Sequence, residues 1–596
     1  MDSSQYLRFL RPYLFRSIPA NRAAYTGVFF VSRANVHCES MPCLIQQKRA
    51  FTNSSVMNAT SAESTIIEEK PITATRATKI EDRTQKLREY DALRFPRIGR
   101  DANRMTIPEF REKFKTVEVE QRAPPLDKIT LEGRILSIRR SGSKLAFMHI
   151  SGGYQQVQVM VDLSHLRLTP VGPKNFQKAI TPLRRGDFIS VTGLATRTYA
   201  GELTLAALAL PVSIAPALAP LPEKLINDET KILNRHVDML VNQQTSDMIR
   251  LRSHVIKSMR DFFHERHFLE VQTPILADSA GGATARPFVT TSTALPEKKL
   301  SMRIAPELWL KRLVIGGNDR VFEIGPSFRN EGLDTTHNPE FTSCEFYSAY
   351  SNLADLMTTT QMLVRRLIHD VDQVVATQLT SLETPKLSAP KERWTRMEFI
   401  PALEKILNIR FPDLSKPDAL DELLNQLPKH IVLSITPGLT LNKTLDQLAS
   451  KYLESQSASE YLDQPFFITH HPACMAPLSK SFVCPKTGQL VSARAELFIN
   501  GYEVANMYEE ENDPFEQRRK FQLQLDSKDD DAAADAPEID ESYVQALEYG
   551  LPPTGGWGCG VDRLIMLLSG ASRISDTLPF GSLKNIVSLS QAAKSS

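Results

Sequence analysis

Four groups of side chains in this 596-residue sequence have types and spacings suited to chemistry. The first flanks Asn500-Gly501, a strong signal for a two-residue hairpin turn between apolar runs. Such a turn sets Ile499 opposite Tyr502 and Phe498 opposite Glu503. Glu496 then shares a face with Glu503, one diagonal step away at ~7 Å. Two carboxylates at that separation could hold a hard cation such as Mg2+, which binds through carboxylates and substrate phosphates together. Asn506, Tyr508 and Glu510 have the opposite parity and can join that face only through a bulge. The alternative is a pair of solvated glutamates on an exposed face.

A second group runs from Arg320 to Tyr347 and reads as a strand, a polar turn and a strand. Side chains alternate along a strand, so Arg329 and Glu331 share one face, while Phe341, Glu345 and Tyr347 share another. A hairpin joining those faces offers a guanidinium, whose planar fork suits phosphate oxygens. It also offers an aromatic plate for a base and two carboxylates. A half-buried hairpin with surface ion pairs fits the same alternation. In the third group, Gly555, Gly556, Gly558 and Gly560 precede Arg563. These glycines allow close backbone approach, and Arg563 falls at the start of an apolar helix, where a phosphate contact is reasonable. No βαβ unit with a downstream acid follows, so a dinucleotide loop is a poor match. The fourth group joins the glycine-rich run 280–288 to Glu307, a carboxylate after Pro306 that could hold a small cationic ligand.

The elements that must position these groups fall into two blocks. Short runs rich in Val, Ile, Leu and Phe at 129–138, 146–150, 155–161, 188–191 and 202–208 alternate with turn residues. Five strands in about 80 residues fit an OB-fold barrel, a common oligonucleotide binder. Pro211, Pro216, Pro220 and Pro222 then mark a stiff linker. From Gln244 the period turns helical, with Met248, Leu251, Val255, Met259, Phe262 and Phe263 three and four apart. The rest alternates strands and helices as one α+β domain. Helices are expected near 81–93 and 107–114, and a mostly helical insertion at 353–462. The acidic run 526–541 reads as a solvated loop.

Composition is ordinary for a globular chain, at 42% hydrophobic and 23% charged. This excludes a disordered, collagen-like or disulfide-stapled protein. The formal charge of +2 means that any nucleic-acid site must be local. No apolar run of ~18 residues suggests a membrane span. Residues 1–55 hold seven basic side chains against two acidic ones, interspersed with Leu and Phe. That pattern reads as a mitochondrial transit peptide, with a disordered basic arm as the alternative. Cys474 and Cys484 with His470 and His471 make a zinc site conceivable, against scattered reduced thiols.

Taken together, these segments resemble the class II aminoacyl-tRNA synthetases, specifically the lysyl-tRNA synthetases. The helix, strand and proline from Leu251 to Pro274 look like class motif 1. Phe328 to Gly332 with His337 to Thr342 looks like motif 2, and Gly558 to Arg563 like motif 3. The runs 281–288, 305–308, 344–347 and 551–554 look lysine-specific. The match holds in order from about Glu81 to Leu583. It implies an N-terminal OB-fold that reads the anticodon and a class II catalytic domain, an antiparallel sheet flanked by helices. The organisation expected is a transit peptide at 1–55, a helical extension at 56–125, the barrel at 126–212, a linker at 213–243 and the catalytic domain at 244–590.

The resemblance also implies roles. Arg329 and Arg563 would contact ATP phosphates, with Glu331, His337, Asn338 and Phe341 around the nucleotide. Glu496 and Glu503 would hold Mg2+. Gly282, Glu307, Glu345, Tyr347, Asn506, Tyr508 and Glu510 would form the lysine pocket, where a buried ammonium needs carboxylate partners. Arg139, Phe147, Gln158 and Glu202 are candidates for the anticodon. The implied partners are lysine, ATP and tRNA(Lys), in a homodimer of the mitochondrial matrix with no membrane insertion. The chain departs from the family pattern at Pro326-Ser327, Val504-Ala505, Met507, 290–300 and 578–583. An aspartyl- or asparaginyl-type enzyme, a lysine-transferring paralogue without the barrel, and a silent tRNA-binding scaffold are the rivals.

Overall fold

Alternating burial along five strands closes the N-terminal sheet on itself. In the computed structural model, which describes residues 72–118, 128–168, 171–282, 285–387, 393–526 and 539–588, these strands are β1 (Ile129–Ser141), β2 (Leu145–Gly152), β3 (Gln155–Asp162), β4 (Phe188–Arg197) and β5 (Leu203–Ala207). They pair in the order β1-β2-β3-β5-β4, and β4 returns to β1; only β3 and β5 run parallel. Leu131, Ile135, Met148, Val159 and Leu205 fill the interior. The helix Ile107–Lys113 adds Ile107 and Phe110 to that core and starts with a capping box, Thr106 against Glu109. The leader expected at 1–55 and most of the acidic run lie outside the described residues.

The N-terminal helix spans Ile72–Glu89 rather than 81–93. Asp91 at φ 52° turns the chain left-handed just after it, so the apolar residues up to Leu93 fall beyond its end. Its Arg83 reaches the buried Asp187 at 2.8 Å. Asp187 also accepts from the backbone N–H of Arg184 and of Ala217. One carboxylate thus ties the helix, the barrel and the proline-rich segment together. That segment differs from a free linker. Val212–Ala215 adds a strand to β4, and the helices Asp228–Leu233 and Arg235–Val241 follow. Its apolar alternation continues through the prolines because Pro211 and Pro216 bracket the strand and do not interrupt it.

In the second block the helix α1 (Gln243–His264) buries the six apolar residues that its period marks. Behind it lies an eight-stranded sheet. Its central strands are β6 (Arg320–Phe328), β7 (Glu340–Ala349), β8 (Phe466–Thr469), β9 (Arg494–Ile499), β10 (Tyr502–Glu509) and β11 (Thr554–Gly560), in the order β8-β9-β10-β11-β7-β6 and all antiparallel. Thr395–Glu398 and Leu269–Glu270 add parallel edges. The helices α2 (Glu307–Ile315), α3 (Leu353–Thr377) and α4 (Val561–Ser569) complete the frame. Among the described residues no helix is long and apolar enough to cross a membrane.

The helical insertion expected at 353–462 starts too early. α3 buries Leu353, Leu356, Leu363, Val364 and Leu367 in the same core as α1 and the sheet. The added layer is the run of helices from Phe399 to Tyr452, whose own cluster of Phe399, Leu403, Leu445 and Leu448 packs on Phe466 and Phe498. Both parts have helical period, so periodicity could not separate them. Asp187→Ala should cost about 3–5 kcal/mol, since it strands the buried Arg83 and frees three donors. Denaturant titration of the barrel against the wild type measures it.

Candidate active site

The floor of the cleft is glycine. On β11, Gly556, Gly558 and Gly560 face one side, while Trp557 and Cys559 face the core, with Trp557 stacked 5.1 Å from Phe346. Registers to left and right then align side chains in rows. One row reads Glu496, Asn506, Gly558, Glu345, Glu323, and the next Arg494, Tyr508, Gly556, Tyr347. A Cβ on Gly556 would lie 1.8 Å from Glu510 Oε1 and 2.7 Å from the Tyr347 ring. Hydrogen there is what admits both groups.

The β9–β10 hairpin decides which carboxylates meet. Asn500 (φ 52°) and Gly501 (φ 82°) form the expected turn, with Ile499 opposite Tyr502 and Phe498 opposite Glu503. Beyond it the register shifts: Leu497 faces Ala505 and Glu496 faces Asn506, which leaves Val504 as a bulge. The extra residue reverses parity. Glu503, Asn506, Tyr508 and Glu510 therefore come to one face with Glu496.

At the carboxylate-rich end, Glu307 opens α2 and is buried. It accepts from Tyr508 Oη at 2.8 Å and from Lys311 Nζ at 2.6 Å. Gly282 at φ 93° brings its backbone against Glu307; a Cβ there would sit 3.0 Å from the Glu307 Cβ. Tyr347 Oη donates to Glu345 at 3.1 Å. Burial, reinforced by Glu307, pushes the Glu345 carboxyl up to about 8. Glu510 is fully buried and paired with Lys311, and its Oε1 has no hydrogen-bond partner. Burial and Glu307 raise both Tyr347 and Tyr508 well above their usual range, so they remain hydrogen-bond donors.

In the centre, burial opposes ionisation of Glu496, but Arg494 and His471 outweigh it and hold the carboxyl well below its usual range. His471 Nε2 lies 3.1 Å from Glu496. Arg494 Nε donates to Asn506 at 3.1 Å. The Glu503 carboxyl is raised by burial and by Glu496, and lies 3.8 Å from Arg563. His471 is thus engaged by a glutamate, and among the described residues no three His, Cys, Asp or Glu side chains gather as metal ligands.

At the cationic end, the Arg329 guanidinium stands 5.2 Å from the Phe341 ring centroid. Arg563, on the first turn of α4, also meets His337 Nε2. His337 Nδ1 is held at 2.7 Å by Asp334, whose carboxyl accepts the Thr336 N–H and falls to about 2. Asn338 is hydrogen-bonded within the protein. Its amide donates to the Glu340 carbonyl and accepts from the Leu583 N–H, clamping the C-terminal segment. Glu331 is exposed on the turn. Asp562 is locked by Arg252 of α1 and by the Thr342 N–H, which fixes the start of α4 beside Arg563.

On the barrel, Arg139 lies opposite Phe147, its guanidinium 5.2 Å from the ring centroid. Gln158 is buried and donates to Glu202 at 2.6 Å, while Glu202 also meets His149 at 2.9 Å. Gln158, Glu202 and His149 line an open cavity of about 450 Å³ that Arg111, Lys115 and Arg197 flank. Lys311, Arg494, Asp334 and His149 are residues of this region to which the sequence assigned no role, and His471 entered only as a conceivable zinc ligand. Strand parity with Phe147 could have found His149, and the i, i+4 spacing from Glu307 could have found Lys311.

A class II tRNA synthetase model (D, K and N) matches residues 227–584, and an OB-fold nucleic acid binding domain matches 129–211. The chain is 40% identical over 511 residues to a mitochondrial lysine–tRNA ligase of Schizosaccharomyces pombe, covering 85% of this chain and 93% of that one. A mitochondrial lysine–tRNA ligase of Saccharomyces cerevisiae is 37% identical, with 81% and 87% covered. A lysine–tRNA ligase of Staphylococcus haemolyticus is 36% identical, with 84% and 97% covered. Gly556→Ala should lower kcat/KM for the amino-acid substrate by about 100-fold or more, because it displaces Glu510 by more than an ångström and crowds the Tyr347 ring. The affinity for ATP should hold, and steady-state kinetics on the two substrates separates them.

Proposed function

The chain belongs to the class II tRNA synthetases, and from that premise we propose how its cleft activates lysine. The chain couples lysine to tRNA in an ATP-driven reaction. One observation supports the residue roles most directly: Glu307, Glu345 and Glu510 converge with Tyr347 and Tyr508 on a glycine floor. Such a pocket favours a cationic side chain and repels an acidic one. Aspartate would bring a charge of the wrong sign, and asparagine would leave the carboxylates unmatched.

The lysine carboxylate attacks the α-phosphate of ATP in line, the bond to the bridging oxygen breaks, and pyrophosphate leaves. The 3′-terminal ribose hydroxyl of the tRNA then attacks the activated carbonyl, and AMP leaves. No side-chain nucleophile is required. Arg329 and Arg563 meet the negative charge that builds on the phosphoryl oxygens, and the fixed frame around them lowers reorganisation. His337 sits between Asp334 and Arg563 and orients that guanidinium. Phe341 offers its face to the adenine, with Glu331 and Asn338 at the rim of the nucleotide site. Gly282, Asn506 and the pocket carboxylates orient the amino acid.

Glu496 and Glu503 would hold Mg2+. Two carboxylates with no third ligating side chain among the described residues suit a cation that keeps its waters and takes substrate phosphates. The metal would neutralise phosphate charge when bound. On the barrel, Phe147 is proposed to stack on an anticodon base, with Arg139, Gln158 and Glu202 making polar contacts. We assign the protein to the mitochondrial matrix, on the basic amphipathic leader and the mitochondrial relatives. α1 is proposed as the interface helix of a homodimer, which sedimentation would measure.

Amino-acid-dependent ATP–pyrophosphate exchange tests the reading: lysine should support it and the other nineteen amino acids should not. Exchange with aspartate, or with none, overturns it. Glu345 must ionise to take an ammonium, and its carboxyl is raised to about 8. The KM for lysine should therefore fall as pH rises from 6 towards 8.5, and Glu345→Gln should flatten that dependence. Phe147→Ala should raise the KM for tRNA by roughly 5- to 150-fold, the worth of one stacked base, while exchange stays at the wild-type rate.

A further inference from the structure

Lys311 is a charged side chain of the pocket that the mechanism leaves unused. It lies on α2, one turn beyond Glu307, within the apolar run Leu308 to Ile315. It is completely buried. Its Nζ is 2.6 Å from Glu307 and pairs with Glu510 from the same position. The rings of Tyr347, Tyr508 and Tyr543 surround that nitrogen at 5.7–5.9 Å from their centroids and close it from water. Glu510 nevertheless keeps Oε1 unpartnered, on the side where the Gly556 hydrogen leaves space.

We propose that Lys311 is a resident ammonium of the amino-acid pocket, a positioning and specificity-determining residue that fixes Glu307 and Glu510 and sets the pocket's charge to that of a diamino substrate. The inference rests on the lysine reading of the cleft. Three carboxylates alone, once ionised to receive ammonium groups, would leave three negative charges in a buried space. With Lys311 in place the net is two, which the α-ammonium and side-chain ammonium of a diamino substrate match while its carboxylate is turned out of the pocket towards the α-phosphate of ATP. An amino acid with a neutral side chain leaves one buried charge unpaired, which is costly. Lys311 also aims the acceptors. It holds one oxygen of Glu307 and one side of Glu510, so the free Oε1 of Glu510 has a single orientation before substrate arrives.

The experiment measures lysine-dependent ATP–pyrophosphate exchange with the full chain as wild type, Lys311→Met, Glu510→Gln and the double variant. Lys311→Met should raise the KM for lysine roughly tenfold or more, with the KM for ATP within about threefold. The pH at which kcat/KM for lysine is half-maximal should move to higher values, because the pocket carboxylates lose their cation. In the Glu510→Gln background the same change should cost at least about threefold less than in the wild type, since one of the two carboxylates that Lys311 holds has lost its charge. An unchanged lysine KM in folded Lys311→Met, an equal rise for both substrates, or the same loss in both backgrounds overturns the proposal. If Lys311→Met does not fold, the double variant against Glu510→Gln decides it: a loss above about tenfold would sink the coupling. A wild type without lysine dependence would instead remove the reading beneath it.

Discussion

Charge compensation under burial is the constraint on which this molecule depends. A carboxylate taken out of water is costly unless a cation or several donors meet it. The sheet carries Glu323, Glu345, Glu496, Glu503 and Glu510 on or beside one face, and most have an assigned partner. Arg303 takes Glu323 at 2.5 Å, Lys311 takes Glu510, and Arg494 with His471 takes Glu496. Glu345 has only a tyrosine hydroxyl, and its carboxyl is correspondingly raised. Burial raises the Glu503 and Glu510 carboxyls as well, so the acids of this face are held ready for a cation rather than fully satisfied.

That arrangement needs strands to hold it. Pairing fixes neighbours a few ångströms apart, and one-residue slips would send every acid to the core face. Glycine on β11 widens the space between β10 and β7 without breaking the ladder. The bulge at Val504 converts a hairpin that would present Glu496 and Glu503 alone into one that adds Asn506, Tyr508 and Glu510. Asp562 then links this face to α1, where Arg252 and the Thr342 N–H hold it beside Arg563.

Legibility in the sequence followed the range of each interaction. The Asn500-Gly501 turn, the barrel strands and the period of α1 are local signals, and they were readable. The bulge was readable only as a condition, because a single extra residue has no period of its own. Lys311 hides in an apolar helix, where its partner Glu510 is 199 positions away along the chain. Asn338 also accepts from the Leu583 N–H, a contact that no spacing announces. The short strand in the proline-rich segment was not readable, because prolines can bracket a strand as well as end a domain. The start of the inserted layer was hidden because α3 and the helices after Phe399 share one period and differ only in which core they fill.

The same logic separates the two ends of the protein. Along β7, Phe341 and Glu345 are four residues apart, about 13 Å at strand rise. Over that length the surroundings change from Arg329, Arg563 and His337 to a set of carboxylates. On the proposed reading, an extended anion at one end and a cation at the other would be drawn in opposite directions along this face and meet over Glu496 and Glu503. The barrel works with a weaker field: Glu202 there is shared by Gln158 and His149 in a half-exposed network, with arginine and lysine only at its rim. A buried charge in the cleft fixes one ligand by its full electrostatic strength. A solvated network on the barrel can rearrange its hydrogen bonds around a base, which suits a surface that must read a polymer and release it.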